Sequence, residues 1–169
     1  MTDTDGAIPA VVLEAIEGRR AAGDRVVFTN GCFDLLHPGH VNSLRAARDQ
    51  GDLLVVGVNS DSSVCDLKGS GRPVIPATAR ADILRELRCV DYVVVFDGPT
   101  PIDLIWELRP DVYVKGADWR DRPMAEADAV REQGGEIAFI DLVSEYSTTA
   151  IIDSIRAVRL DDGKTPDAE

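Results

Sequence analysis

The strongest constraint on the fold is an alternation of short apolar runs with helical patterns. Residues 26–29 read Val-Val-Phe-Thr, and residues 53–58 read Leu-Leu-Val-Val-Gly-Val. Runs of this kind are typical of parallel strands that are buried on both faces. Parallel neighbours need crossover connections, and helical patterns supply them. The sequence therefore predicts an α/β fold, a Rossmann-like, doubly wound, five-stranded parallel sheet in a three-layer sandwich.

Five strands and six helices are predicted from these patterns. The strands cover residues 26–29, 53–58, 90–96, 111–115 and 136–142, and the helices cover residues 9–22, 41–50, 76–87, 101–108, 123–133 and 144–159. The polar stretch 60–73 is predicted to be a mobile loop, because its glycines and its lack of apolar anchors leave it little to pack against. Residues 1–160 are expected to form a single domain, and the polar tail 161–169 is expected to be disordered.

The charge balance is strongly acidic, with 30 Asp and Glu against 18 Lys and Arg and a net charge of −12. Such a balance repels polyanions, so no nucleic-acid partner is expected. No apolar run approaches the ~20 residues of a membrane span, and the polar residues 1–8 do not resemble a signal peptide. Three cysteines without CxxC spacing indicate neither a disulfide framework nor a zinc site. We expect a protein of the reducing cytoplasm, without a membrane partner.

The two histidines of the chain, His37 and His40, follow the first predicted strand at the start of a helix. In α/β sheets this junction is a ligand crevice, where free backbone N–H groups and the positive helix end favour phosphate. Imidazoles can add donors to the same phosphate oxygens, and Gly39 between them lacks the Cβ that would block close approach. A purely structural histidine pair is the alternative interpretation.

Residues 37–40, His-Pro-Gly-His, resemble the HxGH signature of the nucleotidyltransferase superfamily. Residues 29–34, Thr-Asn-Gly-Cys-Phe-Asp, are similar to the cytidylyltransferase-like branch, and specifically to the adenylyltransferase domain of bacterial heptose 1-phosphate nucleotidyltransferases. The resemblance implies transfer of AMP from ATP to D-glycero-β-D-manno-heptose 1-phosphate, giving ADP-heptose and pyrophosphate, with Mg²⁺ on the phosphates. In many bacteria this domain is fused behind a sugar kinase, so we expect a separate kinase to make the substrate here.

The same resemblance implies roles for three groups of residues. His37, His40 and Lys68 would act in catalysis by stabilising charge on the transferring phosphates. The nucleotide would contact Thr29, Asn30, Gly31, Phe33, Gly39, Lys115, Gly116, Asp118, Ser147 and Thr148. The sugar phosphate would contact Asp34, Asn59, Asp61, Arg72 and Arg80. No metal ligand is expected from protein side chains.

Several of these residues also have plain structural interpretations. Lys68 and Arg72 flank a loop with two glycines and can move onto an anion, or they are incidental surface charges. Ser147 and Thr148 precede the last apolar helix, where hydroxyls bind anions or only cap the helix. Asp34 either faces the substrate or shapes its turn, and Trp119 either stacks on a base or covers the loop.

Three other functions remain open from the sequence. A cytidylyltransferase acting on an alcohol phosphate such as glycerol 3-phosphate and an FMN adenylyltransferase share the phosphate motifs. From a different class, the chain could be a non-catalytic nucleotide-binding sensor on the same fold. Small-molecule substrates, a nucleoside triphosphate and a sugar phosphate, are the expected partners, and a homodimer is the expected assembly.

Overall fold

The structure is a computed structural model that describes residues 7–141 and 146–161. The described residues form one sheet of five parallel strands in the order β3-β2-β1-β4-β5. The strands are β1 (Val26–Gly31), β2 (Leu53–Asn59), β3 (Tyr92–Phe96), β4 (Val112–Gly116) and β5 (Glu136–Ile140). The predicted fold class is confirmed.

Seven helices and one 3₁₀ turn connect and flank the strands within the described ranges. The helices are α1 (Ala10–Ala21), α2 (Pro38–Arg48), α3 (Asp61–Lys68), α4 (Ala77–Arg85), α5 (Ile102–Leu108), α6 (Ala125–Glu132) and α7 (Thr148–Asp161), and the 3₁₀ turn is Ala117–Trp119. None of the described helices is long and apolar enough to cross a bilayer.

The sheet separates two apolar layers, which makes the three-layer sandwich. One face packs against α1, α5 and α6, with Ile16, Leu104 and Val130 among its buried residues. The other face packs against α2 and α4 through Leu44 and Leu84. Every residue of β2 is buried, as its apolar run predicts, because helices cover both of its faces.

The prediction of a mobile loop over residues 60–73 is wrong for residues 61–68, which form α3. The Ser60 Oγ accepts from the Ser63 backbone N at 3.1 Å and so caps the helix. Val64 anchors the helix with no exposed surface. The helical pattern is hard to detect because only one apolar residue of this short helix is buried.

Other predictions concern where the elements and the domain begin and end. Helix α2 begins at Pro38 rather than at residue 41, so His40 lies inside its first turn and not in the preceding loop. Residues 142–145, between the fifth predicted strand and the last helix, lie outside the described residues. Of the predicted disordered tail 161–169, Asp161 is the last residue of α7, and residues 162–169 lie outside the described residues. The extent of the domain, residues 1–160, stays a prediction.

Candidate active site

A cavity of about 620 Å³ opens at the carboxyl ends of the strands. It lies where the strand order reverses, because β1 is paired with β2 on one side and with β4 on the other. This is the position at which doubly wound sheets bind their ligands. The predicted site residues that line it are Thr29, Asn30, Gly31, Phe33, Asp34, His37, Gly39, His40, Asn59, Lys68, Arg72, Lys115, Gly116, Asp118, Ser147 and Thr148.

The two imidazoles form a stacked pair at the start of α2. Their ring centroids are 3.8 Å apart with an interplanar angle of 24°. His37 is the residue before the helix and its carbonyl accepts from the His40 backbone N at 2.9 Å. The Nδ1 atoms of both rings are buried without a hydrogen-bond partner among the described residues. Buried polar atoms are usually paired with protein, water or a ligand, and these two belong to residues that line the cavity.

Burial lowers the pKa of both histidines. Desolvation, together with the neighbouring His37, lowers the pKa of His40 to about 4, although the Asp34 carboxylate acts in the opposite direction. Burial alone lowers the pKa of His37. Both rings are therefore neutral at pH 7 in the free protein, and each can donate one N–H to an anionic ligand.

The depressed pKa of His40 predicts a specific loss of stability in acid. The unfolded chain binds a proton at this side chain near pH 6.5, whereas the folded chain binds it only near pH 4. The free energy of unfolding should therefore fall as the pH is lowered through that window, by about 1 to 2 kcal/mol after allowing for the partial exposure of the ring. Urea denaturation at pH 7, 6 and 5 measures it.

His40→Gln removes the titrating group and is the control for this prediction. The variant should lose less stability than the wild type between pH 7 and 5. Asp34 also has a lowered pKa, but its contribution is lost only below its usual value of 3.8, outside this range. Equal pH dependence of the two proteins would contradict the lowered pKa of His40.

Gly39 supports the histidine pair by leaving room for it. A Cβ at this position would lie 3.0 Å from the His37 Cε1 and Nδ1 atoms, so the ring would have to shift. Gly39→Ala is therefore expected to lower turnover severalfold, while the better helix propensity of alanine keeps the fold stable. Turnover and the thermal midpoint measure the two effects.

Gly18→Ala is a matched control for Gly39→Ala. Gly18 also lies inside a helix, and a Cβ there would meet nothing within 4 Å. This variant should gain a similar helix propensity and keep full turnover. If both variants lose the same fraction of turnover, the contact with His37 is not the cause.

The amino end of α7 forms a second wall of the pocket. Ser147 caps this helix, since its Oγ accepts from the Ala150 backbone N at 3.1 Å. The Thr148 Oγ1 donates to the Asp34 backbone O at 2.8 Å. This bond joins the helix to residues 32–37, between β1 and α2, which we call the histidine loop. The amino ends of α2 and α7 therefore open on the same cavity, and both favour negative charge there.

Lys115 lies at the floor of the pocket with its side chain 10% exposed. Its Nζ donates to the Asn30 Oδ1 at 2.9 Å and lies 5.0 Å from the Trp119 ring centroid. Burial lowers the pKa of Lys115, while Glu126, Asp118 and the Cys32 thiol act against that shift. The Asn30 Oδ1 also accepts from the Tyr113 hydroxyl, and the Thr29 Oγ1 donates to the Val114 O. The end of β1 is thus fixed to β4.

Lys68 and Arg72 are two further cations that line the pocket. The Arg72 Nε donates to the buried Asp34 Oδ2 at 2.7 Å. Burial would raise the pKa of Asp34, but the Val74 and Ile75 backbone N–H groups and the Arg72 guanidinium together lower it. Asp34 therefore stays ionised, and it shapes the turn besides lining the pocket.

Asp61 and Arg80, predicted as substrate contacts, do not line the pocket. Arg80 is 1% exposed, and its guanidinium donates to the Ile75 O at 2.9 Å, to the Cys32 O and to the Asp61 Oδ1 at 2.7 Å. All three of its nitrogens are thus engaged by the protein. The prediction that Asp61 and Arg80 contact the substrate directly is therefore wrong.

Ten further residues line the pocket, and among them only Trp119 is a candidate for ligand contact from the sequence. They are Cys32, Ser43, Leu44, Leu67, Pro99, Trp119, Glu126, Ile140, Tyr146 and Thr149. Of these, Cys32, Trp119, Tyr146 and Thr149 lie within or beside motifs that carry a signal. Glu126 carries no signal in the sequence, because an acidic residue in the first turn of a helix is common. In the structure it is 7% exposed, and its Oε1 lies 3.9 Å from the Lys115 Nζ.

The chain is similar to long curated proteins over most of its length. It is 54% identical over 142 residues to the bifunctional protein HldE of Syntrophotalea carbinolica, covering 84% of this chain and 29% of that protein. It is 52% identical over 148 residues to the bifunctional protein HldE of Methylococcus capsulatus, covering 87% and 31% respectively. The chain thus spans roughly a third of these relatives.

Solved structures agree on the fold. A lipopolysaccharide core biosynthesis protein from Thermoplasma volcanium superposes with a TM-score of 0.59 at 26% identity, covering 74% of this chain and 100% of that one. A protein of unknown function from Archaeoglobus fulgidus superposes with a TM-score of 0.52 at 19% identity, covering 73% of this chain and 93% of that one, and shows the fold alone.

The family model described as cytidylyltransferase-like matches residues 28–154, which include the histidine pair and the start of α7. On this match and these relatives, the chain belongs to the cytidylyltransferase-like family.

Proposed function

We propose that this protein is an adenylyltransferase that transfers AMP from ATP to the phosphate of D-glycero-β-D-manno-heptose 1-phosphate and releases pyrophosphate. One observation carries the proposal. The stacked histidines, whose Nδ1 atoms have no partner among the described residues, two helix amino ends and the cations Lys68, Arg72 and Lys115 all line one cavity of an otherwise acidic chain. The heptose substrate is supported by the motif resemblance and by the identity of 50% or more to proteins named HldE.

In this reaction an oxygen of the sugar phosphate attacks the α-phosphorus of ATP, and the bond from that phosphorus to the bridging oxygen of pyrophosphate breaks. The sugar phosphate is already a competent nucleophile, so no covalent intermediate with the protein is needed. Catalysis then rests on positioning and on stabilising the charge that develops on the phosphate oxygens. His37 and His40 would donate N–H groups to those oxygens, and the Ser147 and Thr148 region of α7 would hold the β- and γ-phosphates.

Arg72 is the residue we assign to the acceptor phosphate. Its Nε is held by Asp34, while its two terminal nitrogens have no partner among the described residues. A guanidinium held in this way presents two parallel N–H donors, which match two oxygens of a phosphate. Lys68, the last residue of α3, also lines the pocket and would add a second positive charge.

Mg²⁺ is proposed to enter with ATP, and it would neutralise charge on the phosphates when it is bound. In the described part of the chain, no group of three or more His, Cys, Asp or Glu side chains could hold a metal ion. The carboxylate of Asp34 is engaged by Arg72 and by two backbone N–H groups. We also propose the cytoplasm as the compartment and a homodimer as the assembly.

A pyrophosphate-release screen tests the proposed function. ATP, CTP, GTP and UTP are each combined with heptose 1-phosphate, glycerol 3-phosphate and FMN. The expected result is release with ATP and heptose 1-phosphate above every other pair. A preference for CTP with glycerol 3-phosphate, or for ATP with FMN, would replace the proposal, and ATP binding without release from any pair would identify a sensor.

A further inference from the structure

Residues 72–75 carry Arg72 along the pocket wall, yet this segment buries little apolar surface. It follows two glycines with positive φ, Gly69 at 91° and Gly71 at 89°. Val74, in the middle of the segment, is 53% exposed. A segment with so few apolar contacts depends on hydrogen bonds for its position.

Asp34 supplies three of these hydrogen bonds. Its carboxylate is 1% exposed and accepts from the Val74 N at 2.9 Å and from the Ile75 N at 3.0 Å, besides the Arg72 Nε at 2.7 Å. One carboxylate of the histidine loop thus determines both the course of the segment and the direction of its arginine. Because the group is buried, these charge-assisted bonds are stronger than they would be in water.

Arg80 and Asp61 hold the same segment from its other side. The Arg80 Nε donates to the Ile75 O at 2.9 Å, and its Nη1 donates to the Cys32 O, two residues before Asp34. The Asp61 Oδ1 accepts from the Arg80 Nη2 at 2.7 Å and from the Ala77 N at 2.8 Å. The guanidinium therefore joins the histidine loop, the start of α3 and the end of the segment.

We propose that Asp34, Asp61 and Arg80, which we call the brace, are positioning residues that aim the Arg72 guanidinium at the acceptor phosphate. The inference rests on the proposed function for the identity of that phosphate. Asp61 and Arg80, which do not line the pocket, would thus act on the reaction by positioning Arg72 and not by contacting the substrate. The brace should therefore matter for the acceptor far more than for the nucleotide.

Arg80→Lys is the principal test variant. Lysine keeps the charge but has one ammonium group, which cannot reach three acceptors that lie in different directions around a planar guanidinium. Arg85→Lys is the matched control, because Arg85 lies on the same helix, is exposed and pairs only with Asp82 among the described residues. Where Arg80→Lys fails to fold, Asp61→Ala replaces it, since the Asp61 side chain is 49% exposed.

Hydrogen exchange in the free protein is the first measurement. The amides of Val74 and Ile75 should exchange at least about tenfold faster in Arg80→Lys than in the wild type, and at the wild-type rate in Arg85→Lys. This measurement needs no substrate. Unchanged exchange at both amides in a folded Arg80→Lys or Asp61→Ala protein would overturn the brace.

Steady-state kinetics are the second measurement. The KM for heptose 1-phosphate should rise about tenfold in Arg80→Lys, while the KM for ATP stays within about twofold. The double variant Arg80→Lys/Arg72→Ala should be no worse than Arg72→Ala alone, because the brace acts through Arg72. Equal rises in both KM values, or additive effects in the double variant, would overturn the inference. A wild type without pyrophosphate release would instead count against the proposed function, and the exchange result would still decide whether the brace holds the segment.

Discussion

His40→Ala is expected to lower turnover by at least about 100-fold, which corresponds to about 2.7 kcal/mol of transition-state stabilisation. The ring is stacked on His37 and its Nδ1 lacks a partner among the described residues. We propose that both imidazoles donate an N–H group to the phosphates. Alanine removes one donor and also leaves His37 without its stacking partner. Pyrophosphate release at saturating substrates measures the effect, and His37→Ala should give a loss of similar size.

Asn42→Ala is the matched control for the histidine variants. Asn42 lies two residues further along α2 and is exposed, outside the residues that line the pocket. It should keep turnover within about twofold of the wild type, as surface substitutions away from a site usually do. A folded His40→Ala protein with turnover within a few fold of the wild type would refute the assigned role.

ATP is expected to exceed CTP by at least tenfold in kcat/KM, a difference of about 1.4 kcal/mol in transition-state binding. The residues proposed to bind phosphate would contact groups that both nucleotides share, so the base would be selected elsewhere in the pocket. Gly116 and the neighbouring Ala117, at the end of β4, are small residues and favour the larger purine, and Trp119 and Ile140 also line the pocket. Backbone N–H and C=O groups there can bind the adenine edge.

Competition between the two nucleotides measures this preference directly. ATP and CTP are mixed at equal concentration with heptose 1-phosphate, and the ratio of the two sugar-nucleotide products gives the ratio of the kcat/KM values. A ratio in favour of CTP would contradict the heptose adenylyltransferase assignment. It would move the chain to the cytidylyltransferases that act on alcohol phosphates.

The fold was predictable because its signals are local. The run Leu53–Asn59 is apolar since both faces of β2 are covered, and that requirement is visible in the sequence itself. Helix α3 was missed for the opposite reason. Its position depends mainly on the Ser60 cap and on one buried side chain, Val64, and a polar stretch with these features is also compatible with a loop.

The site was predictable to the extent that its residues belong to motifs. His37, His40 and Ser147 lie where strand ends and helix starts predict a phosphate site. The contacts of Arg80 could not be predicted from motifs, because its guanidinium donates to the Cys32 carbonyl, 48 residues away in the sequence. A sequence gives no means of telling an arginine that binds a ligand from one whose donors are satisfied by the backbone.

The central position of β1 in the sheet has a consequence for how the protein is made. On the ribosome β1 can pair with β2 soon after both emerge, but its other edge waits for β4, since Val27 pairs with Val112. Until then the nascent chain exposes an unpaired apolar strand edge, a known route to aggregation. The pocket is complete only once Thr148 and Thr149 have been added. The proposed nucleotide would therefore stabilise the finished domain by mass action, but it would give no protection to the chain while this strand edge is unpaired.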